Sequence, residues 1–127
     1  MPSESWDLSR ASEVLGHDEE FLSELAGIYC AACPTLLKNL AQAIAAKDRL
    51  AIADAAHLLW SGARTLSAPG VAKAALAVEM IAHRDELDDI DSAYHTLQQE
   101  AARLLDALAD FRTRRDGASR NPGSREP

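Results

Sequence analysis

"DAAHLLWSGARTLSAPG", residues Asp54–Gly70, is rich in alanine and leucine, which have high helix propensity. We predict a helix that starts at Asp48 and continues to about Leu66. The sequence "SAPG" ends it, because Ser67 can cap a helix and Pro69 fits the first turn of the next one. A single histidine stands in the middle of this otherwise apolar stretch, and its direction decides what the segment does.

His57 is predicted to point away from the core. At about 100° per residue, His57 lies roughly 160° from Leu59 around the helix. The core side is aliphatic and consists of Ile52, Ala55, Ala56, Leu59, Ala63 and Leu66. The neighbours of His57 are Ala53, Asp54, Trp60, Ser61 and Arg64. A histidine that points outward is either a surface residue without a function or a reactive residue that a partner can reach. The small Ser61 and Gly62 beside it favour the second interpretation. A neutral imidazole can accept a phosphoryl group or act as a base.

Helical patterns continue on both sides of this stretch. A short helix is expected within Trp6–Leu15, and a long one runs from the N-cap Asp18 to about Lys47, with Pro34 expected to kink it. A fourth helix follows Pro69 and ends near His83-Arg84, and a fifth carries apolar residues from Tyr94 to Phe111. We predict an all-α fold, an antiparallel four-helix bundle with an additional short N-terminal helix.

Composition restricts the classes of function. The chain has 127 residues and a net charge of −7, which suits one domain and disfavours a nucleic-acid partner. No apolar run reaches the roughly 18 residues of a membrane span, and no signal peptide is recognised, so a cytoplasmic protein is expected. Residues 1–113 are predicted to form the bundle domain, and residues 114–127, which lack large apolar side chains, a disordered tail.

Sites of other kinds have weaker support in the sequence. Cys30 and Cys33 form a C-x-x-C, but it lies within a helical pattern and no second cysteine pair exists. Ordinary packing is therefore favoured over redox or metal chemistry. His17, His83 and His95 lie on separate segments, and no metal site is predicted. The acidic run Glu86–Asp91 is interpreted as a solvated turn.

Residues 7–111 resemble the histidine-containing phosphotransfer (HPt) domain family. The most specific part is "AAHLLWSGARTLSAPGVAKAALAVE", Ala55–Glu79, which is similar to the family pattern A-H-x-L-K-G-S-A-x-x-L-G-A followed by a helix ending in L-E. The matching residues are Ala56, His57, Leu59, Ala63, Leu66, Ala68 and Glu79. The resemblance implies a four-helix bundle with an added N-terminal helix. It also implies an exposed histidine that exchanges phosphate with aspartates of receiver domains.

By position, the resemblance implies that His57 is the phosphoacceptor, through its outer ring nitrogen. It implies receiver domains of a response regulator and of a hybrid sensor histidine kinase as partners, with magnesium on the receiver and no cofactor on this chain. Asp54, Glu79 and His83 are expected on the partner surface. No Gly-rich phosphate loop is present, so no ATP-dependent kinase activity is expected. A monomer without membrane or nucleic-acid contacts is the expected state.

The chain departs from the family pattern at three positions. Trp60 replaces the usual lysine, and Ser61 and Ser67 replace glycines. Arg64, one turn beyond, can substitute in part for the lysine, and the Ser61 hydroxyl can bond a phosphoryl oxygen. Trp60 is either a hydrophobic anchor for the receiver or a side chain packed on a neighbouring helix. The alternatives to a phosphate carrier are a binding module that regulates a receiver or kinase without phosphate, and a plain helical adaptor.

Overall fold

The computed structural model describes the backbone of residues 6–84 and 87–125 and the side chains as far as Arg115. Within these residues the chain is helical and contains no strand. The helices are α1 (Leu8–Val14), α2 (Glu19–Ala46), α3 (Arg49–Thr65), α4 (Pro69–Arg84) and α5 (Ile90–Arg125), with a 3₁₀ turn at Leu87–Asp89. Neighbours pack in the order α2, α3, α4, α5 and back to α2, which closes a four-helix bundle, and α1 lies against α2. The predicted fold class is confirmed.

Aspartate is the N-cap residue of three of the described helices. The carboxylates of Asp7, Asp18 and Asp48 each accept a hydrogen bond from the backbone N–H three residues on, at 2.9, 3.0 and 3.1 Å. These bonds satisfy N–H groups that have no partner within the helix. The predicted starts at Asp18 and Asp48 are confirmed, and α2 runs through Pro34 as one helix.

The turn between α3 and α4 differs from the expectation for Ser67. Ser67 has a φ of 58°, in the left-handed region that favours glycine. Ala68 donates its N–H to the Ala63 carbonyl at 2.8 Å, and Ser67 donates to the Arg64 carbonyl at 3.1 Å. This pair of bonds is a Schellman motif, so Ser67 ends α3 rather than capping α4. The requirement for a left-handed residue explains why the family pattern has glycine here.

The buried face of α3 is wider than the aliphatic stripe of the sequence. All six residues predicted for the core are buried, and Ala53, which was grouped with the neighbours of His57, is buried as well. Helix α3 lies between α2 and α4, so its inward arc extends toward both. The prediction for Gly62 was also incomplete. A Cβ at this position would lie 2.5 Å from Tyr29 Cε1, so Gly62 lets α2 and α3 approach closely.

Helix α5 continues past the last large apolar residue of the chain, Phe111, and its backbone is helical through Arg125. The disordered tail expected for residues 114–127 stays a prediction. Residues 126–127 lie outside the described residues, as do 85–86 at the start of the acidic turn. A domain boundary at residue 113 stays a prediction. No described helix is long and apolar enough to span a membrane.

Candidate functional site

His57 lies in the middle of α3 on its exposed side. Its side chain is 54% accessible, and the imidazole stands over the junction of α3 and α4. The Nδ1 atom lies 3.4 Å from Oε1 of Glu79, which α4 presents across that junction. The outward direction expected for His57 is therefore seen. When the proton is on Nδ1, this contact is a hydrogen bond to the carboxylate and Nε2 keeps its lone pair.

Glu79 contacts two histidines with its two carboxylate oxygens. Oε1 faces His57, and Oε2 lies 3.4 Å from Nε2 of His83, one turn further along α4. The Glu79 side chain is only 17% exposed, whereas His83 is 61% exposed. The sequence placed both residues on a partner surface. The Glu79 carboxylate lies beside the His57 imidazole, and His83 is at the exposed edge of this contact. The assignment of both residues to a partner surface stays a prediction.

Trp60 and Arg64 continue the same face of α3 toward its C-terminus. The ring centroids of His57 and Trp60 are 5.1 Å apart, with the planes tilted by 36°. The Arg64 guanidinium carbon lies 5.1 Å from the Trp60 ring centroid, within the range of a cation–π contact. Trp60 is half-buried and also packs against the core. The indole thus touches an imidazole, a guanidinium and the bundle itself.

Ser61 and Asp54 complete the exposed residues named from the sequence. Both are exposed on α3, at four residues after and three residues before His57. Ser61 lines a small hollow of about 210 Å³ together with Trp60, Arg64 and Thr65. The Ser61 carbonyl accepts a hydrogen bond from the Thr65 hydroxyl at 3.1 Å, and Ser61 is exposed.

A sequence profile of the family described as Hpt domain matches residues 24–112. The match covers all of α3 and α4 and most of α2 and α5, and it includes both His57 and Glu79. The chain belongs to the Hpt domain family. No curated protein and no solved structure matches it. Hpt domains take part in histidine phosphotransfer in two-component and phosphorelay signalling, where they interact with receiver domains.

The two cysteines of this Hpt domain have raised pKa values. Cys33 is fully buried, and burial raises the pKa of its thiol to about 11. Burial also raises the pKa of the Cys30 thiol, with the nearby Arg112 charge acting in the opposite direction. Both thiols therefore stay protonated near neutral pH, whereas redox and metal chemistry use the thiolate. In the described part of the chain, no group of three or more His, Cys, Asp or Glu could hold a metal ion.

An apolar groove of this Hpt domain, between α2 and α3, was not anticipated from the sequence. Its volume is about 560 Å³, and Ile28 and Leu58 on its two sides are 65% and 55% exposed. Tyr29 and Gly62 form part of its lining. Leu58 directly follows His57 in α3 but faces the α2 side of the helix, whereas His57 faces α4. The sequence feature that could have indicated the groove is the pair Ile28 and Leu58, two large apolar residues that lie outside the buried faces of their helices.

Proposed function

We propose that this Hpt domain carries a phosphoryl group on Nε2 of His57. The group comes from an aspartyl phosphate of one receiver domain and passes to an aspartate of another. One observation carries the proposal. An exposed imidazole on a rigid helix turns its Nδ1 toward a carboxylate, which leaves Nε2, without a hydrogen bond to any described side chain, as the nucleophile.

The transfer step uses the two ring nitrogens differently. The Nε2 lone pair forms the P–N bond while the acyl O–P bond of the aspartyl phosphate breaks, and its electron pair returns to the receiver carboxylate. The proton stays on Nδ1, so the ring gains positive charge. The Glu79 carboxylate, 3.4 Å away, stabilises that charge as the aspartate of a serine-protease triad stabilises its histidine. Transfer onward to the second receiver reverses these bond changes.

The convex shape of the site agrees with this role. Phosphoryl transfer depends mainly on positioning and on stabilisation of negative charge, with donor and acceptor in line. A receiver brings the aspartate and, by family resemblance, the magnesium ion, so this chain needs only to present the imidazole. The residues proposed to support the step from this chain are Trp60, Ser61 and Arg64. Asp54 and His83 are proposed to contact the partner at the rim.

Uptake of labelled phosphate tests the proposal. A receiver domain phosphorylated with ³²P is mixed with wild type, with His57→Gln and with His95→Gln, which removes another exposed histidine. We expect acid-labile label on wild type and His95→Gln, and none on His57→Gln. Receivers that bind wild type and His57→Gln equally but transfer no label to either would establish the alternative, a regulatory module that carries no phosphate.

Glu79→Gln refines the same assay. The amide keeps the shape of Glu79 but cannot balance the charge that develops on the imidazole. We expect transfer to be slower by about 10- to 100-fold, by analogy with metal-binding histidines that lose the carboxylate orienting their ring. An unchanged rate would show that the contact between Glu79 and His57 has no part in the reaction.

A further inference from the structure

The side chains of His57, Trp60 and Arg64 form one stack on the exposed face of α3. Their spacing of three and then four residues places them on successive turns of the same face. The indole lies between the other two, 5.1 Å from the imidazole centroid and 5.1 Å from the guanidinium carbon. An exposed arginine usually samples many rotamers, whereas this one is held over a ring that is itself packed against the core.

The negative charge of a phosphorylated His57 suggests a role for this stack. A phosphoryl group on His57 adds up to two negative charges beside Glu79, and Asp54 lies on the same face. The family pattern has a lysine at position 60, and its positive charge can balance the phosphoryl group. This chain has the uncharged Trp60 instead. Arg64 lies about 20° from His57 around α3, on the same side of the helix. Within the part of the chain that the structure describes, no carboxylate forms an ion pair with Arg64.

The small hollow beside the stack brings a second phosphate-binding group to Arg64. Arg64 and Ser61 line this hollow of about 210 Å³ together, with Trp60 as one wall. A guanidinium and a hydroxyl are both donors suited to phosphoryl oxygens, and a guanidinium can bind two of them at once. Ser61 lies one turn after His57 and Arg64 two turns after it, so both lining residues are on the same side of α3 as the imidazole.

We propose that Arg64 supplies the cation that stabilises the phosphoryl group on His57, and that Trp60 is the positioning residue that holds Arg64 there. The inference rests on the proposed function and names the residues that replace the family's lysine. It also gives Trp60 a third role, beside the partner anchor and the packed side chain that the sequence suggested. Its ring contacts are already taken by His57 and Arg64, so a partner reaching for the indole would have to displace them.

A phosphorus NMR titration tests the charge contact without a receiver. The protein is loaded chemically with phosphoramidate, and the ³¹P shift of the phosphohistidine is followed with pH. A nearby cation favours the doubly ionised phosphoryl group, so Arg64→Gln should raise its pKa by about half a unit or more. Arg64→Lys should raise it less. Arg103→Gln, an exposed arginine on α5, should not change it. An equal pKa in wild type and Arg64→Gln overturns the inference, even if His57 is phosphorylated normally.

Transfer kinetics then separate positioning from anchoring. In single-turnover reactions, Arg64→Gln should slow transfer at saturating receiver about tenfold, with the receiver Kd changed less than about twofold. Trp60→Ala should do the same, and Trp60→Phe, which keeps a ring, should recover most of the rate. Adding Trp60→Lys to Arg64→Gln should restore transfer by returning the family's cation. If Trp60→Ala instead weakens the Kd and Arg64→Gln has no effect on the rate, Trp60 is a partner anchor and the inference is wrong.

If no receiver transfers label to wild type, the proposed function fails. The NMR titration of the chemically loaded protein still reports whether Arg64 acts on the phosphoryl group, so the two failures are distinguishable. Circular dichroism of each variant shows that the bundle is intact, because Trp60 also packs against the core.

Discussion

Gly62→Ala is predicted to destabilise the bundle although alanine is the better helix former. Gly62 lies inside α3, where glycine costs about 1 kcal/mol relative to alanine. A surface glycine at this position would therefore gain stability on replacement. The ring of Tyr29 on α2 reverses that expectation, because a Cβ at residue 62 would lie 2.5 Å from its Cε1 atom and 2.8 Å from Cδ1.

The magnitude follows from how little the Tyr29 ring can move. Tyr29 is 6% exposed, and its hydroxyl donates a hydrogen bond to the Leu59 carbonyl at 3.1 Å. Overpacking a core by a methyl group costs about 1–3 kcal/mol, and a contact this short belongs at the upper end. Displacing the ring also weakens its hydrogen bond, which contributes about 1 kcal/mol. After the gain of about 1 kcal/mol in helix propensity, we expect a net loss of about 2–3 kcal/mol.

Urea unfolding followed by circular dichroism measures this change. Gly27→Ala is the matched control, since its Cβ would meet only the end of the Arg112 side chain, at 3.0 Å, and that end can move away. Gly27→Ala should be neutral or stabilising. A Tyr29→Val background removes both ring atoms that clash, so Gly62→Ala should become stabilising there. A Gly62→Ala protein at least as stable as wild type would refute the reasoning, as would an equal loss in the Tyr29→Val background.

Three further predictions concern the caps and a buried thiol. Ser67→Gly should stabilise the protein by about 1 kcal/mol in thermal unfolding, because glycine adopts the φ of 58° without strain, and Ser67→Ala should not. Asp48→Ala should cost about 1 kcal/mol in urea unfolding by removing the 3.1 Å cap of α3. The pKa of Cys33 is raised to about 11 from an ordinary value of 9.0, so the unfolded chain loses its proton first. Stability should therefore fall as pH rises from about 9 to 11, and fall less in Cys33→Ala.

Helix α3 shows what the sequence predicts well. Its start, its end and its aliphatic core face depend on local propensity, capping and a period of 3.6 residues, all of which are visible in one chain segment. The outward direction of His57 follows from the same period. Ala53 was grouped with the exposed residues because angular positions within one helix do not show how many other helices pack against it.

The candidate site was harder to predict where contacts cross between helices. Glu79 lies 22 residues from His57, and only the antiparallel packing of α3 and α4 brings its carboxylate to the imidazole. Family resemblance pointed to Glu79, but it did not predict the contact of its carboxylate with the His57 ring. Gly62 was interpreted as a sign that His57 is displayed for a reaction, whereas the structure shows a packing reason for glycine, the Tyr29 ring 33 residues away. The α2–α3 groove was not predicted because it forms between two helices, and the sequence of each helix taken separately does not indicate it.

Two of the three departures from the family pattern, Ser67 and Trp60, are accompanied by contacts with other residues of this chain. Ser67 takes a strained left-handed position, and the segment before α1 bonds to that turn. Trp6 donates its indole N–H to the Leu66 carbonyl at 2.8 Å, and Asp7 donates its backbone N–H to the Ser67 carbonyl at 2.9 Å. Trp60 removes a charge, and its ring holds the guanidinium of Arg64. If these contacts are compensations, the reverse changes should not be additive. Ser67→Gly should reduce what the Trp6 bond contributes, and Trp60→Lys should make Arg64 dispensable, which double-mutant cycles measure directly.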